Sequence, residues 1–391
     1  MNQLFKEDAN RLENRLRIRS LRFGELDQKI VAAWASLEER ALENNAYLSP
    51  RFMIPELRRL GSLKELEKTI FVFIERPSGK TTDLVGVGVF VRSSGTRKFP
   101  LPHLRAYLSI HAYLSGLLVD RDEAENVIRL FFRFFCGKDA TWQGVEFAYR
   151  YAEGPQAELI AAIANEFNTP WHEHMQSRRA VFIPSEGGDG YIQANYSAHR
   201  IKELRRLRRR LEERGEVHWR ALFGADADEE SVERFLQIEH MGWKGDKGTS
   251  LRSRPSHEAF FKEMIRDFRQ KGKLFLTELS LDDIAIASTT NLISGGTGFA
   301  FKIGYHPDYA EMSPGLLNEL EFIRYAPALC GNLSYIDSGA EEGSFIDRLW
   351  TERRRLVSGI FATTSIAKGV LSGVNRVRKF KHRCETLLAP R

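Results

Sequence analysis

Three cysteines, Cys136, Cys330 and Cys384, stand isolated in a chain of 391 residues, with no CxxC pair. A disulfide scaffold and a cysteine-based structural zinc site are thereby excluded, and the usage fits a reducing cytoplasm. Long apolar runs are lacking as well. The longest, Tyr107 to Val119, is broken by Ser109, His111 and Ser115, short of the roughly 18 to 20 residues that span a bilayer. The start, Met1-Asn2-Gln3-Leu4-Phe5-Lys6-Glu7-Asp8, has no basic segment followed by an apolar one, so no signal peptide is read. No GxSxG, P-loop, HExxH or GxGxxG occurs. The commonest hydrolase, NTPase, metalloprotease and dinucleotide-binding signatures are therefore missing.

What is present is an ordinary globular composition, 42% hydrophobic and 28% charged, over a length that suggests two domains of about 190 residues each. The net charge of +6 is unevenly placed: His199–Gly215 holds eight Lys or Arg against three Glu, and Arg376–Arg391 is also basic. Such clusters suit phosphates, nucleic acid or an anionic membrane surface; they suit equally a solvated helix face with its own salt bridges.

Residues 1–45 read as helical, with Ile30, Ala33, Trp34, Leu37 and Leu42 at helical spacing. Thr69–Glu75 and Leu84–Arg92 read as a hairpin, Leu117–Val119 as a strand end, and Asp120–Phe135 as a helix with Phe131, Phe132, Phe134 and Phe135 packed into a core. Gly144–Tyr151 and Arg179–Ile183 read as strands and Pro155–Phe167 as a helix. Ser185–Gly190, small and glycine-rich, is the expected hinge between halves. The second half opens with the charged helix Ser197–Arg214, then the strand Val217–Leu222 and the helices Glu229–Met241 and Ser256–Lys271. The strands Lys273–Leu279, Ile284–Ile293 and Thr297–Tyr305 follow, then the helix Ser313–Ala326, the strand Leu333–Asp337 and a helix over Ser344–Leu356. The alternation predicts a mixed α/β fold with a mixed sheet, and the similar order in both halves suggests an internal duplication.

Chemistry is sought first at Ser313-Pro314-Gly315-Leu316-Leu317. Ser is a preferred N-cap, Pro suits the first helical position, and Gly leaves the free amides unshielded. Such a helix start is either a seat for a diphosphate or a helix start and nothing more. Before it, Phe299, Phe301, Ile303 and Tyr305 alternate with Ala300, Lys302 and Gly304. Gly298 and Gly304 would give a ligand close access to the backbone. In Glu239-His240-Met241-Gly242-Trp243-Lys244-Gly245, Glu239 is either a proton acceptor or a structural cap, and Lys244 can bind an anionic group. Asp337 closes a strand at the end where ligands gather in α/β sheets, or anchors a loop. His172 and His174 have metal-compatible spacing without an evident third ligand, so no metal is expected.

From Phe235 to Trp350 these residues resemble the CelD-like acetyltransferases, a branch of the GNAT superfamily related to the Fem aminoacyl transferases. The resemblance rests on Glu239, Gly242-Trp243-Lys244-Gly245, Gly248-Thr249, Phe260-Phe261, Ile284-Ala285, Lys302-Ile303-Gly304-Tyr305, Asp308, Ala310, Ser313-Pro314-Gly315 and Asp337, in that order. The Arg-rich helix Arg200–Arg214 is similar to the family's too, and Trp34–Leu37, Leu48-Ser49-Pro50 and Phe99–Leu118 resemble its first lobe more loosely. It implies two tandem GNAT-like lobes, 1–187 and 188–391, the second with a basic tail, in a cytoplasmic bacterial enzyme. It also implies acyl transfer from acetyl-CoA or another acyl-CoA to an amine or hydroxyl, the acceptor being a small molecule or saccharide of exopolysaccharide or envelope synthesis. On that reading Glu239 or Asp337 is the base and Tyr305 protonates the leaving thiolate. The donor arm lies along Lys302, Ile303 and Gly304, its diphosphate meets Ser313 and the amides of Gly315, Leu316 and Leu317, and Trp243 and Lys244 face the acceptor. Two departures stand out. The superfamily's diphosphate loop has Gln or Arg and two spaced glycines, whereas only Gly315 is present, and Asp347 stands where the family has a Lys before Trp350. The alternatives are a Fem-like aminoacyl-tRNA donor, with Arg200–Arg214 on the RNA, or a non-catalytic partner of polysaccharide machinery touching the membrane through its tail.

Overall fold

The computed structural model describes residues 16–78, 81–138 and 140–373; the basic tail and Cys384 lie outside the described residues. The strands are β1 (Arg17–Leu21), β2 (Thr69–Ser78), β3 (Thr81–Ser93), β4 (His103–Ala106), β5 (Leu118–Val119), β6 (Gly144–Tyr151), β7 (Trp171–Phe182), β8 (Val217–Phe223), β9 (Leu274–Leu281), β10 (Ile284–Ser294), β11 (Thr297–Tyr305), β12 (Tyr335–Asp337) and β13 (Glu352–Ala362). The longer helices are α1 (Gln28–Glu38), α2 (Pro50–Leu60), α3 (Ala124–Phe135), α4 (Pro155–Glu166), α5 (Ala198–Glu212), α6 (Glu229–His240), α7 (Pro255–Arg269) and α8 (Pro314–Cys330). Contacts group the chain into two compact units, and a single cut near 187 does not separate them. One takes the residues up to Glu43, Leu63–Gln176 and the segment from Arg355; the other takes Asn44–Ser62 and Ser177–Arg354.

In the first unit the strand order is β1-β2-β3-β4-β6-β13, with β5 on β3. The expected hairpin forms, in register from Thr69↔Val91 to Ser78↔Thr81. Its strands are nearly continuous apolar runs because both faces are covered: Phe71, Phe73, Val85 and Val87 are all fully buried. β4 and β6 run parallel, Leu104 opposite Val145, and such a pair needs a crossover, within which α3 lies. Phe131, Phe132 and Phe135 of α3 are buried in the core and Phe134 packs against it, as helical spacing predicted.

Two expectations about secondary structure fail. Arg17–Leu21 is a strand rather than part of an N-terminal helix, because it pairs along β2 from Arg17↔Glu75 to Leu21↔Phe71. The helix expected over Ser344–Leu356 is a single turn, Phe345–Arg348, followed by β13. Leu356–Ala362 is buried throughout, and a continuous apolar run does not declare its own period. Pairing with β6, from Leu356↔Tyr151 to Ala362↔Gly144, decides it.

In the second unit β8, β9, β10 and β11 form an antiparallel meander. β12 then joins β11 in parallel, and the end of β7 pairs with β12 through Ile336↔Phe182. One sheet face carries α5 and α8 over a core that includes Leu207, Leu211, Phe275, Leu317 and Phe322. The other face carries α2, α6 and α7, where Phe52 meets Phe260 at 5.4 Å and Phe235 meets Phe261 at 5.3 Å. Among the described residues no helix is long and apolar enough to cross a membrane.

Helix α8 runs past the expected end at Ala326 and includes Pro327. Proline has no N–H to give the carbonyl four residues back. That carbonyl, Ile323 O, instead accepts from Gly188 N at 2.8 Å. The segment Ser185–Gly190 is therefore docked on α8 inside the second unit and is not a hinge between halves. Gly188, at φ 93°, supplies the left-handed turn this requires.

A buried polar chain ties α8 to the meander. Trp219 Nε1 donates to Asn318 Oδ1 (2.9 Å), Asn318 Nδ2 donates to Thr277 Oγ1 (2.9 Å), and Thr289 Oγ1 donates to Glu319 Oε1 (2.8 Å). Burial pushes the Glu319 carboxyl up to about 7 against an ordinary 4.5, the Thr289 bond opposing the shift. The folded chain therefore holds a proton that the unfolded chain has already released, and stability falls as pH rises through the window from 4.5 to about 7. Glu319→Gln should remove a pH-dependent loss of up to roughly 3 kcal/mol. Thermal melts at pH 5 and pH 8 should show the variant gaining on the parent at the higher pH; parallel melting points would contradict a protonated Glu319.

Candidate active site

Strand β11 carries a bulge. Its ladder to β10 runs from Ser294↔Thr297 to Asn291↔Ala300, skips a residue, and resumes at Thr290↔Lys302. An extra residue reverses which face the following side chains take. Phe299 and Phe301 thus pack towards Tyr47 and Phe52, each at 5.8 Å between ring centroids. Ile303 and Tyr305 instead face the start of α8, where a Cβ built on Gly315 would meet Ile303 Cδ1 at 3.4 Å and Tyr305 Cδ1 at 3.9 Å. Strict alternation would have put all four on one face; the bulge separates them.

The two glycines of β11 serve the protein rather than open space. A Cβ on Gly304 would lie 2.8 Å from both the Cα and the amide nitrogen of Glu239, so α6 rests directly on the strand there. A Cβ on Gly298 would lie 2.8 Å from Ile336 Cγ1.

A cavity of about 610 Å³ opens where β11 meets α8. The parallel register with β12 covers only Thr297–Phe299. The uncovered end of β11, Ile303, Gly304 and Tyr305, lines the cavity together with Ser313, Pro314, Gly315 and Leu316. Tyr305, 38% exposed, is free to meet a ligand. Ser313 departs from the expected N-cap: it sits in the left-handed region at φ 51°, ψ 56°, and its hydroxyl makes no capping bond. A non-glycine residue is rare there and persists only where its surroundings dictate it.

Of the three amides expected to receive a diphosphate, those of Leu316 and Leu317 donate to Ser313 O at 3.0 and 3.1 Å. Leu317 also buries its side chain in the core and does not line the cavity. Pro314 has no N–H, which leaves the Gly315 amide and the positive end of the helix for an anion. Lys302 is engaged in the bulge, its amide donating to Thr290 Oγ1 at 3.3 Å, and it is not a lining residue.

Glu239 and Lys244 meet in the cavity wall. Glu239 is buried; its Oε2 accepts from Leu251 N at 2.9 Å and its Oε1 lies 3.4 Å from Lys244 Nζ. Lys244 Nζ donates to the carbonyl of Ile303 at 2.7 Å. Burial lowers the Lys244 pKa; Glu239 opposes the shift and the charge of Lys302 adds to it. The Trp243 side chain lies outside the described residues.

Asp337 is not brought to this place. It is fully buried, its Oδ1 accepts from Gly339 N at 2.7 Å and lies 3.5 Å from Arg179 Nη1, and it does not line the cavity. Its loop-anchoring role is therefore the one realised. In the first unit His174 Nε2 lies 3.4 Å from Glu146, which also faces His103 at 3.5 Å and Arg105 at 2.9 Å. The two histidines and Arg105 hold the Glu146 carboxyl well below its usual range, although burial, the largest single influence, acts the other way. The cavity wall also takes in residues outside the motifs read from the sequence: Arg200, Glu203 and Leu207 of α5, Ile238, Pro307, Phe345 and Arg348. No local spacing assigns them to this cavity, since α5 reads as a basic face suited to phosphates, RNA or solvent and Phe345–Arg348 as part of a longer helix.

Residues 198–345 match the family model described as an acetyltransferase (GNAT) domain. No curated protein matches the chain. Among solved structures, that of FemX is similar over 88% of this chain and 96% of that one, at 9% identity and a TM-score of 0.54. The C-terminal domain (DUF2156) of a putative lysylphosphatidylglycerol synthetase from Agrobacterium fabrum is similar over 88% of this chain and 95% of that one, at 7% identity and a TM-score of 0.50. At such identities the likeness is one of fold. The fold is a mixed α/β fold of GNAT type, and the protein is an acyltransferase.

The contact of α6 with β11 is directly testable. Gly304→Ala should force the two elements apart and destabilise the protein by about 1–3 kcal/mol, the usual range for overpacking. Denaturant titration measures this; an unchanged midpoint would mean that α6 does not rest on Gly304.

Proposed function

We propose that the protein transfers an acyl group from acyl-CoA to an amine or hydroxyl, with the reaction centre where the uncovered end of β11 meets the first turn of α8. The observation that carries this reading is the single cavity bounded by Ile303–Tyr305, by Gly315 and by the Glu239–Lys244 pair. The donor arm would extend along Ile303 and Gly304, and its diphosphate would meet the Gly315 amide and the Ser313 hydroxyl at the positive end of the helix. The absent side chain of Gly315 leaves room for that approach.

The acceptor's nitrogen or oxygen attacks the thioester carbon, forming the new C–N or C–O bond as the C–S bond breaks. The acceptor's proton passes to Glu239, and the departing thiolate takes a proton from Tyr305. Lys244, already donating to a β11 carbonyl, fixes the carboxylate beside the strand. The protein's main task is to hold both reactants in register. The resemblance to CelD-like enzymes favours a saccharide or envelope precursor as acceptor and a cytoplasmic location. The alternative, an aminoacyl-tRNA donor, draws support from Arg205 and Arg209, which are exposed on α5 and make no ion pair with the described residues. Salt-dependent binding of an RNA acceptor stem would favour it.

Calorimetric titration with acetyl-CoA tests the donor reading. The parent protein should bind, and Gly315→Trp, which fills the space against Ile303 and Tyr305, should not. Absence of binding by the parent would sink the acyl-CoA donor, and equal binding by both proteins would move the site elsewhere. Once an acceptor is in hand, Glu239→Gln should lower kcat about a hundredfold or more, the usual share of general-base catalysis. A loss confined to KM would leave Glu239 a binding group only.

A further inference from the structure

The loop that should carry a donor's diphosphate brings no positive charge of its own. Between His306 and Leu316 it contains Asp308 and Glu311 but no Lys or Arg, and Glu311 is already tied to Arg210 of α5 at 3.3 Å. A nucleotide donor with several phosphates needs cations from elsewhere, because one amide and a helix end do not neutralise them. Two arginines reach the same cavity from outside the loop, Arg200 at the start of α5 and Arg348 in the turn Phe345–Arg348.

Arg200 is only half used by the protein. Its Nη1 donates to Glu203 Oε2 at 2.7 Å, while its Nη2 is buried and has no hydrogen-bond partner. A buried guanidinium N–H without an acceptor is costly, and this one belongs to a side chain that lines the cavity, where an oxyanion of a ligand can supply the acceptor. The guanidinium fork is suited to this, one nitrogen held by Glu203 and the other presented to an oxyanion. Arg348 is exposed and makes no ion pair with the described residues. Phe345, three residues before it, is 41% exposed in the same wall, a flat apolar surface of the kind on which nucleobases stack. Over the whole cavity Arg200, Lys244 and Arg348 face Glu203 and Glu239, so positive charge is in excess.

We propose that Arg200 and Arg348 bind the phosphate groups at the nucleotide end of the acyl donor, with Phe345 against its base, in place of the basic residue that the loop lacks. The proposal rests on the acyl-CoA reading given above and adds the residues that recognise the nucleotide. It assigns α5 a place in the donor site rather than a merely solvated face.

The test compares two donors, acetyl-CoA and S-acetyl-4′-phosphopantetheine, which share the thioester arm and first phosphate but differ in the nucleotide. Binding is measured by calorimetry on the full chain for the parent, Arg200→Leu, Arg348→Ala and the double variant. The parent should prefer acetyl-CoA by roughly tenfold or more, the weight of a charge-assisted contact. In the double variant that preference should collapse while the truncated donor binds as before, which also shows that the pocket is still folded. Parent-like affinity of the variants for acetyl-CoA would overturn the arginine assignment and leave the donor reading standing. An equal loss for both donors would overturn it too, because the substitutions would then have disturbed the pocket rather than a nucleotide contact. Failure of the parent to bind either donor would bring down the acyl-CoA reading and this assignment with it.

Discussion

An extra residue in β11, opposite the Thr290–Asn291 step of β10, makes one strand serve two faces. Before the bulge the strand is a core element, with Phe299 and Phe301 packed under α2 and α7. After it, Gly304 meets the backbone of α6, while Ile303 and Tyr305 turn to Gly315 at the head of α8. Without the bulge Ile303 and Tyr305 would point into the layer that α6 occupies, and the cavity would lose its strand wall. The parallel pairing with β12 also stops just ahead of the bulge, at Phe299↔Asp337, so the end of β11 stays uncovered where its side chains change face.

The polar groups around this junction follow from the same geometry. Because α6 lies directly on Gly304, the Glu239 carboxylate is buried at the strand, and burial of a carboxylate demands partners. Leu251 N and Lys244 supply them. Lys244 in turn reaches Ile303 O, so a base candidate, a cation and the free strand end are linked through two contacts. On the opposite face the chain through Asn318 and Thr289 to Glu319 holds α8 in position over the meander. Its helix start, with Gly315, is thereby held against β11.

The first unit shows the same succession of a hairpin, a third strand, a crossover helix and a parallel fourth strand, yet its crossover begins differently. Asp120, Asp122 and Glu123 stand at the start of α3, with Arg40 committed to Asp120 at 2.5 Å and Arg76 to Glu123 at 3.3 Å. Carboxylates there suit the helix dipole and oppose a phosphate. In the second unit the two residues just before α8, Met312 and Ser313, are uncharged, Glu311 is drawn away to Arg210 at 3.3 Å, and Arg200 Nη2 has no hydrogen-bond partner.

The sequence by itself determined much of the fold: the β2–β3 hairpin, the aromatic face of α3, the β9–β11 meander and the helix opened by Ser313-Pro314-Gly315 are all local patterns of period and punctuation. It also brought Glu239, Lys244, Ile303, Gly304, Tyr305 and Gly315 to notice, and these line one cavity. Tertiary structure alone decided the rest. Local spacing cannot reveal that β11 gains a residue against β10, since a bulge exists only relative to a partner strand. Nor can it show that Gly304 is glycine because of α6, that Asp337 turns to Gly339 and Arg179, or that Arg17–Leu21 and Leu356–Ala362 are strands by virtue of their neighbours. Arg200 and Arg348 read as two arginines among many. They stand out only where the folded chain turns both to the same cavity, with Arg200 Nη2 buried and without a hydrogen-bond partner.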